Sequence, residues 1–247
     1  MKFTFLGTRG EIEARSRRHG RHSSVLVAAG TGRVRMTKGV MIDCGLDWLE
    51  IVFDLKPSAI VLTHAHPDHA FGLKNGAPCP VWATNETWDL LRDYPIKDRH
   101  VITPREKMVI SGVEFEAFPV EHSVRCPAVC YRVSEGDASV LYAPDVVAIK
   151  DRTAAMRRID VYVGDAATLT QSFVRKAGEA LVGHATVKTQ IGWCRAEGVD
   201  RAVFTHCGTE VTTSSEGEAE EAVRRLGLER GIDAILAFDG MELSVKG

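Results

Sequence analysis

Thr63-His64-Ala65-His66-Pro67-Asp68-His69 follows directly on the apolar run Ala59-Ile60-Val61-Leu62. The run is short and rich in β-branched residues, so it predicts a buried strand, with the polar residues in the loop at its carboxyl end. In an extended segment residues i and i+2 point the same way, so His64 and His66 can reach one cation. Beyond the bend at Pro67, Asp68 and His69 turn toward a second. Three imidazoles and a carboxylate within six consecutive positions predict two adjacent metal sites rather than a His-rich surface loop.

Outward from this segment, short apolar strands are expected at 3–6, 24–27, 40–42, 59–62, 81–83, 113–118, 129–133, 140–142, 161–163, 202–204, 234–237 and 242–245. Helical patterns interrupt them at 47–54, 86–92, 187–196 and 215–229. Many strands with helices mixed in predict an α/β layered domain rather than an all-β barrel. The last helix is expected to be capped by Ser214 or Ser215 and to carry Glu216, Glu218, Glu220 and Glu221 as a solvated acidic face near its start. Asp239-Gly240, between two short apolar runs, reads as a hairpin turn.

Two cations need more donors than the first cluster supplies, and three further strands end in one. His122 follows 113–118, Asp145 follows 140–142, and His206 follows 202–204. Asp43 ends the strand 40–42. The remaining composition is that of an ordinary globular protein. A chain of 247 residues can form one domain over 1–247, and a formal net charge of −2 gives no support to a broad nucleic-acid-binding surface. The six cysteines are scattered without a CxxC pair, so they are expected to be reduced thiols. Cys126 and Cys130 are read as structural. No transmembrane stretch or secretory h-region is visible, which predicts a cytoplasmic location and no membrane partner.

In order and spacing, Asp43, the cluster His64 to His69, His122, Asp145 and His206 resemble the five motifs of the metallo-β-lactamase superfamily, across nearly the whole chain. The resemblance is greatest to the branch of ribonuclease Z-like enzymes and cyclic phosphodiesterases. It implies a four-layer αββα sandwich. It also implies one metal on His64, His66 and His122, a second on Asp68, His69 and His206, Asp145 bridging them, and Asp43 holding the ligand loop from behind. Two divalent cations, zinc by preference with Mn²⁺ or Fe²⁺ as alternatives, would activate water for hydrolysis. Diiron oxidoreductases of the superfamily usually carry Glu where this chain has His66, which argues against redox chemistry.

Gly183-His184-Ala185-Thr186 stands where this branch carries a His-Ser-Thr-like motif whose His helps protonate the leaving oxygen. His184 is therefore a candidate general acid, with capping of the following helix as its structural alternative. Asp68 is the other candidate catalytic residue. Thr186 can cap the helix or donate to a phosphate oxygen. Asp165-Ala166-Ala167-Thr168 resembles the His-Glu-Ala-Thr stretch of ribonuclease Z but lacks its His and Glu. No long tRNA-gripping arm fits between His122 and Asp145. In the basic loop 15–22, Arg18 and Arg21 are candidate phosphate contacts, with a solvated charge run as the alternative; Arg9 can join that rim.

Together these readings predict a binuclear hydrolase acting on a small or cyclic phosphodiester by attack of metal-activated hydroxide. A thioester, lactone or lactam hydrolase is the alternative enzyme, and a metal-binding, non-catalytic protein the alternative of another class. The expected partner is a small phosphodiester rather than a long nucleic acid, with a homodimer as a further possibility.

Overall fold

The computed structural model describes residues 1–30, 39–215 and 217–246. Two sheets face each other. The first runs from edge to edge as β17 (Glu242–Ser244), β1 (Lys2–Gly7), β2 (Ser24–Ala28), β3 (Val40–Ile42), β4 (Ala59–Val61), β5 (Val81–Ala83) and β6 (Arg99–Val101), numbered along the chain. The second runs β11 (Ala148–Ile149), β8 (Val113–Glu121), β9 (Ala128–Glu135), β10 (Ala138–Tyr142), β12 (Val161–Asp165), β15 (Arg201–Thr205) and β16 (Asp233–Leu236), with β7 (Lys107–Ile110) paired to β8. A separate hairpin, β13 (Arg175–Ala177) and β14 (Ala180–Val182), stands outside both sheets.

Period-two alternation sorts the buried apolar strand residues among three cores. Val25 and Val27, Val40 and Ile42, and Ala59 and Val61 face inward, where they meet Val140, Tyr142, Val161, Val163 and Val203 of the second sheet. The residues between them, Leu26, Met41 and Ile60, face outward onto Trp48, Val52 and Trp88. The helices, numbered along the chain, are α1 (Val52–Leu55), α2 (Pro67–Ala70), α3 (Asn85–Leu90), α4 (Arg152–Met156), α5 (Val187–Glu197), α6 (Thr209–Thr212) and α7 (Glu218–Leu228). On the other side Leu141, Tyr162, Ala202 and Phe204 face outward onto α5 and α7. The result is an αββα sandwich with its main core between the sheets. On α5 the buried positions Val187, Gln190, Ile191 and Cys194 follow i, i+3, i+4, i+7 spacing, and Gly198 ends the helix in a left-handed conformation at φ 73°.

The strands β3, β4, β5 and β6 run parallel, as do β10, β12, β15 and β16. Carboxyl ends of parallel strands are where open α/β sheets leave a crevice, and the polar ends of β3, β4, β10, β12 and β15 gather there.

Several expectations change. Residues 47–54 form a 3₁₀ turn at Leu46–Trp48 and a short helix, α1 (Val52–Leu55), because Lys56 turns left-handed at φ 48° ahead of Pro57. Neither Ser214 nor Ser215 caps the last helix. Gly217 does, at φ 88°, while the Ser215 hydroxyl donates to Glu218 at 2.7 Å. Glu216 lies outside the described residues. Asp239-Gly240 is not a hairpin turn: β16 belongs to the second sheet and β17 to the first, so the segment crosses between layers. Its Asp239 carboxylate accepts from Thr8 Oγ1 at 2.7 Å and from the amides of Gly20 and Arg21 at 3.0 and 3.1 Å, tying the basic loop to the crossing.

His22 is buried in that same loop, and its Nδ1 accepts from the Asp47 amide at 3.3 Å, which selects the neutral ring. Burial, reinforced by the Arg9 charge, lowers its pKa from 6.5 to about 4. The unfolded chain therefore binds a proton that the folded chain refuses, so His22 costs stability as pH falls from about 6.5 toward about 4. In denaturant titrations across that window, His22→Gln is expected to show a shallower loss of unfolding free energy than the wild type.

The segments that follow the neighbouring strands β3 and β4 approach closely at Gly45, where a Cβ would stand 2.0 Å from the carbonyl oxygen of Asp68. Gly45→Ala is expected to destabilise the fold by about 1–3 kcal/mol in equilibrium unfolding, the usual cost of overpacking. A wild-type midpoint in that variant would contradict the close approach.

Candidate metal centre

The donors stand in the segments that follow the carboxyl ends of strands. His64 and His66 follow β4, and Asp68 and His69 lie in α2 (Pro67–Ala70), the helical turn that Pro67 opens. His122 follows β8, Asp145 follows β10, and His206 follows β15. The structure thus brings all seven of the residues anticipated as donors into one crevice between the sheets.

The donors fall into two groups. His66 Nδ1 stands 3.0 Å from both His64 Nε2 and His122 Nε2. Asp68 Oδ2 stands 3.2 Å from His69 Nε2 and 3.0 Å from His206 Nε2. Asp145 Oδ2 lies between the groups, 3.6 Å from His64 Nε2, 3.7 Å from His69 Nε2 and 3.8 Å from His206 Nε2. His64, His66, His122 and Asp145 make one set able to hold a cation, and Asp68, His69 and His206 another.

Hydrogen bonds from behind fix which nitrogen each ring presents. Asp43 and Asp165 are fully buried carboxylates, acceptors only. Asp43 takes bonds from the Thr63 amide at 2.7 Å, from the Thr63 hydroxyl at 2.8 Å, and from His69 Nδ1 at 2.8 Å. With its proton given to Asp43, Thr63 Oγ1 accepts from His64 Nδ1 at 2.9 Å. His122 Nδ1 donates to the Gly183 carbonyl at 3.2 Å, and His206 Nδ1 approaches Asp165 Oδ1 at 3.4 Å. His64, His69, His122 and His206 therefore all turn Nε2 toward the crevice, an arrangement typical of metal-binding imidazoles.

A cation fits this arrangement better than protons do. Three imidazole nitrogens that face one another at 3.0 Å cannot all be satisfied by mutual hydrogen bonds. His69 Nε2 and Asp145 Oδ1 are buried and make no well-aligned hydrogen bond among the described residues, although Asp68 Oδ2 lies 3.2 Å from the first and His122 Nδ1 2.6 Å from the second. Burial, with the charges of its neighbouring rings, holds His64 well below the usual imidazole range, and burial with His122 lowers His66 to about 4, so both offer lone pairs at neutral pH. Burial also opposes a proton on His69, but Asp68 and Asp43 outweigh it and raise the ring to about 10. The nitrogen that would otherwise take that proton is the one facing the crevice.

His184 does not cap α5; Thr186 does, its Oγ1 accepting from the Thr189 amide at 3.0 Å. Thr186 is thereby committed to the helix. His184 instead places Nδ1 2.8 Å from Asp165 Oδ2 and 3.1 Å from Asp145 Oδ1. Burial disfavours its charge, yet those two carboxylates raise its pKa to about 11. Asp165 is the residue that sequence reasoning passed over. It ends β12, and Gln190 of α5 clamps its backbone, accepting from the Asp165 amide at 2.9 Å and donating to the Asp165 carbonyl at 2.7 Å. The available signal was the strand Val161-Tyr162-Val163-Gly164 ending in an acid, the same pattern that marks Asp145.

The arginines anticipated as phosphate contacts lie elsewhere. Arg18 pairs with Glu220 at 2.9 Å and lies over the Phe238 ring, and Arg21 lies over Trp48. Neither borders the cavity of about 410 Å³ above the donors, because the loop is pinned by Asp239 and by Asp47, which pairs with Arg15 and with buried Arg9. That cavity is walled by Gly10, Glu11 and Ile12 on one side and by Phe173, His184 and Glu210 on another. Cys126, close by, accepts from the Ala65 amide through Sγ at 3.2 Å, consistent with a structural thiol, and all six cysteines are free. No helix among the described residues is long and apolar enough to cross a membrane.

Residues 38–207 match the family model of the β-lactamase superfamily domain, well over half of the chain. The chain belongs to that family. Among solved structures, the metallo-β-lactamase fold protein YhfI from Bacillus subtilis aligns with a TM-score of 0.71 at 15% identity, covering 98% of each chain. A diphosphatase of the PhnP family aligns with a TM-score of 0.68 at 20% identity, over 99% of this chain and 98% of the other. The short form of human tRNase Z aligns with a TM-score of 0.63 at 19% identity over 100% of both. These likenesses establish the metallo-β-lactamase fold. A search of curated protein sequences found no match.

Asp43→Asn keeps the size of the side chain but removes the charge that orients Thr63 and His69. It is expected to weaken metal affinity roughly 10- to 100-fold, the usual effect of losing such a partner. Competition with a chromophoric chelator measures this, and wild-type affinity would contradict the role.

Proposed function

We propose that this chain is a binuclear metal-dependent phosphodiesterase that cleaves a small or cyclic phosphodiester. The observation that carries the reading is His184, a ring held at Nδ1 by Asp165 and bordering the cavity above the clustered donors. Zinc suits the mixed imidazole and carboxylate set, with Mn²⁺ or Fe²⁺ as alternatives. When bound, two such cations would supply a water acidified toward neutral pKa and positive charge for the phosphate oxygens.

The chain's own residues do the rest. His64, His66 and His122 would hold one cation, Asp68, His69 and His206 the other, and Asp145, placed between the groups, would serve both. Asp68 borders the cavity and is held well below the usual carboxylate range, since His69 and His206 outweigh the cost of burying it. It is thus an anion at neutral pH, able to orient the attacking water. His184 carries its fixed proton on Nδ1, and with the ring doubly protonated Nε2 can donate to the departing alkoxide. Asp165 steadies that imidazolium, and Gln190 steadies Asp165. The names of two proteins of the same fold, a diphosphatase and a tRNase Z, support phosphoester chemistry.

One observation favours a second reading, hydrolysis of a thioester, lactone or lactam. The cavity over the donors carries Glu11 and Glu210 and is walled by no Lys or Arg among the described residues, which suits an uncharged carbonyl substrate. The same absence argues against long nucleic acid, whose binding draws on many phosphate contacts.

A panel of bis-p-nitrophenyl phosphate, cyclic nucleotides, thioesters and lactones, assayed with metal-loaded protein, separates the two. Phosphodiester turnover is expected, with His184→Ala lowering it by roughly 10²-fold or more. Activity confined to carbonyl substrates, or an unchanged rate in His184→Ala, would overturn the proposal.

A further inference from the structure

His184 borders two cavities. Beside the one of about 410 Å³ over the donors lies a second of about 380 Å³, walled by Ser172, Phe173, Val174, Arg175, Gly183 and His184 itself. Phe173 and His184 contribute to both walls. The two differ in charge: the carboxylates of Glu11, Asp68, Asp145 and Glu210 border the first, whereas the second has no carboxylate in its wall and carries Arg175 beside His184. Arg175 sits at the start of β13, exposed, with no side-chain partner among the described residues. Phe173 is 45% exposed, an aromatic face left open at the junction of the two cavities.

The wall of the second cavity is fixed to the metal centre. Gly183 holds φ 110°, and a Cβ there would stand 2.2 Å from the Phe173 carbonyl oxygen, so only glycine lets the two ends of the hairpin close. The Gly183 amide donates to the His122 carbonyl at 3.0 Å, and its own carbonyl accepts from His122 Nδ1 at 3.2 Å. Phe173, Gly183, His122 and His184 are therefore positioned as a unit.

We propose that the second cavity is the subsite for the leaving half of the substrate, a planar ring alcohol that bears an anionic group. This rests on the phosphodiesterase reading for the role of His184. In that reaction a P–O bond forms to the water oxygen, and the P–O bond to the leaving group breaks. The electron pair stays on the leaving oxygen, which takes its proton from His184 Nε2. A proton donor must stand beside the leaving oxygen, and the space that adjoins His184 away from the acidic rim is the second cavity. Phe173 packs on the ring, and Arg175 pairs with the anion through its planar fork. Glu11 and Glu210 discourage the opposite orientation by repulsion.

The test is binding of the leaving half alone, with 4-hydroxybenzoate and 4-hydroxybenzamide as probes, measured by ligand-observed NMR titration. Wild-type protein is expected to bind 4-hydroxybenzoate with a dissociation constant on the order of millimolar. That affinity should be about tenfold tighter than for the amide, because one charge-assisted pair is at stake. Arg175→Ala should lose that preference, Arg175→Lys should keep part of it, and Phe173→Ala should weaken both probes. No binding of 4-hydroxybenzoate, or binding indifferent to both Arg175→Ala and Phe173→Ala, would overturn the subsite. Binding with the expected pattern alongside turnover of carbonyl substrates only would overturn the reaction assigned above and leave the subsite standing.

Discussion

A carboxylate with no access to water must be answered by donors, and in this fold Asp43 is answered by the loop that carries most of the metal donors. The Thr63 amide, the Thr63 hydroxyl and His69 Nδ1 all spend their protons on it. Removing any one would leave a buried charge underpaired, which is among the more expensive faults a core can carry. The loop from His64 to His69 therefore has one conformation rather than several. Asp165 plays the matching part in the second sheet, where His184, His206 and Gln190 converge on it. Both acids stand at the ends of parallel strands, so the rigidity of each sheet passes directly into ring orientation.

Much of this was legible in the sequence because strand ends announce themselves. The pattern of a β-branched run followed by His or Asp identified His64, His122, Asp145 and His206, whereas the outward facing of Ile60 and the inward facing of Val61 come from the packing of the sheets. The parts that were not legible depend on long-range geometry. Asp165 looked like a departure from a family motif, and its importance lies in groups that arrive from His184 and His206, 19 and 41 residues away. Strands β6 and β13 are exposed and charged, Arg99-His100-Val101 and Arg175-Lys176-Ala177, and offer no apolar alternation to read. Asp239-Gly240 carried a sound local turn signal, but which sheet each flanking strand joins is decided by pairing with β1 and β15.

The basic loop shows the limit of composition. Arg15, Arg18 and Arg21 suggest anion recognition when counted along the chain, and the structure engages each one locally, with Asp47, Glu220 and the face of Trp48. The contribution to the site comes instead from the segment ahead of the loop, Gly10, Glu11 and Ile12. A Cβ on Gly10 would lie 3.1 Å from the His206 ring, and the Gly10 amide donates to the Cys207 carbonyl at 3.0 Å. Backbone at Gly10 and the side chain of Glu11, rather than the arginines, close that side of the cavity.

Donors drawn from both sheets have a consequence in polymer terms. A cation held by His64 and Asp145, or by Asp68 and His206, would be a reversible cross-link between segments far apart along the chain; the second pair is separated by 138 residues. Cross-links that close long loops remove entropy from the unfolded ensemble, and one made by a dissociable ion stabilises the fold by an amount that grows with the logarithm of its free concentration once that exceeds the dissociation constant. The cohesion of the two layers would then follow the supply of metal in the surrounding solution, and starvation for it would be felt as loosening of the whole sandwich.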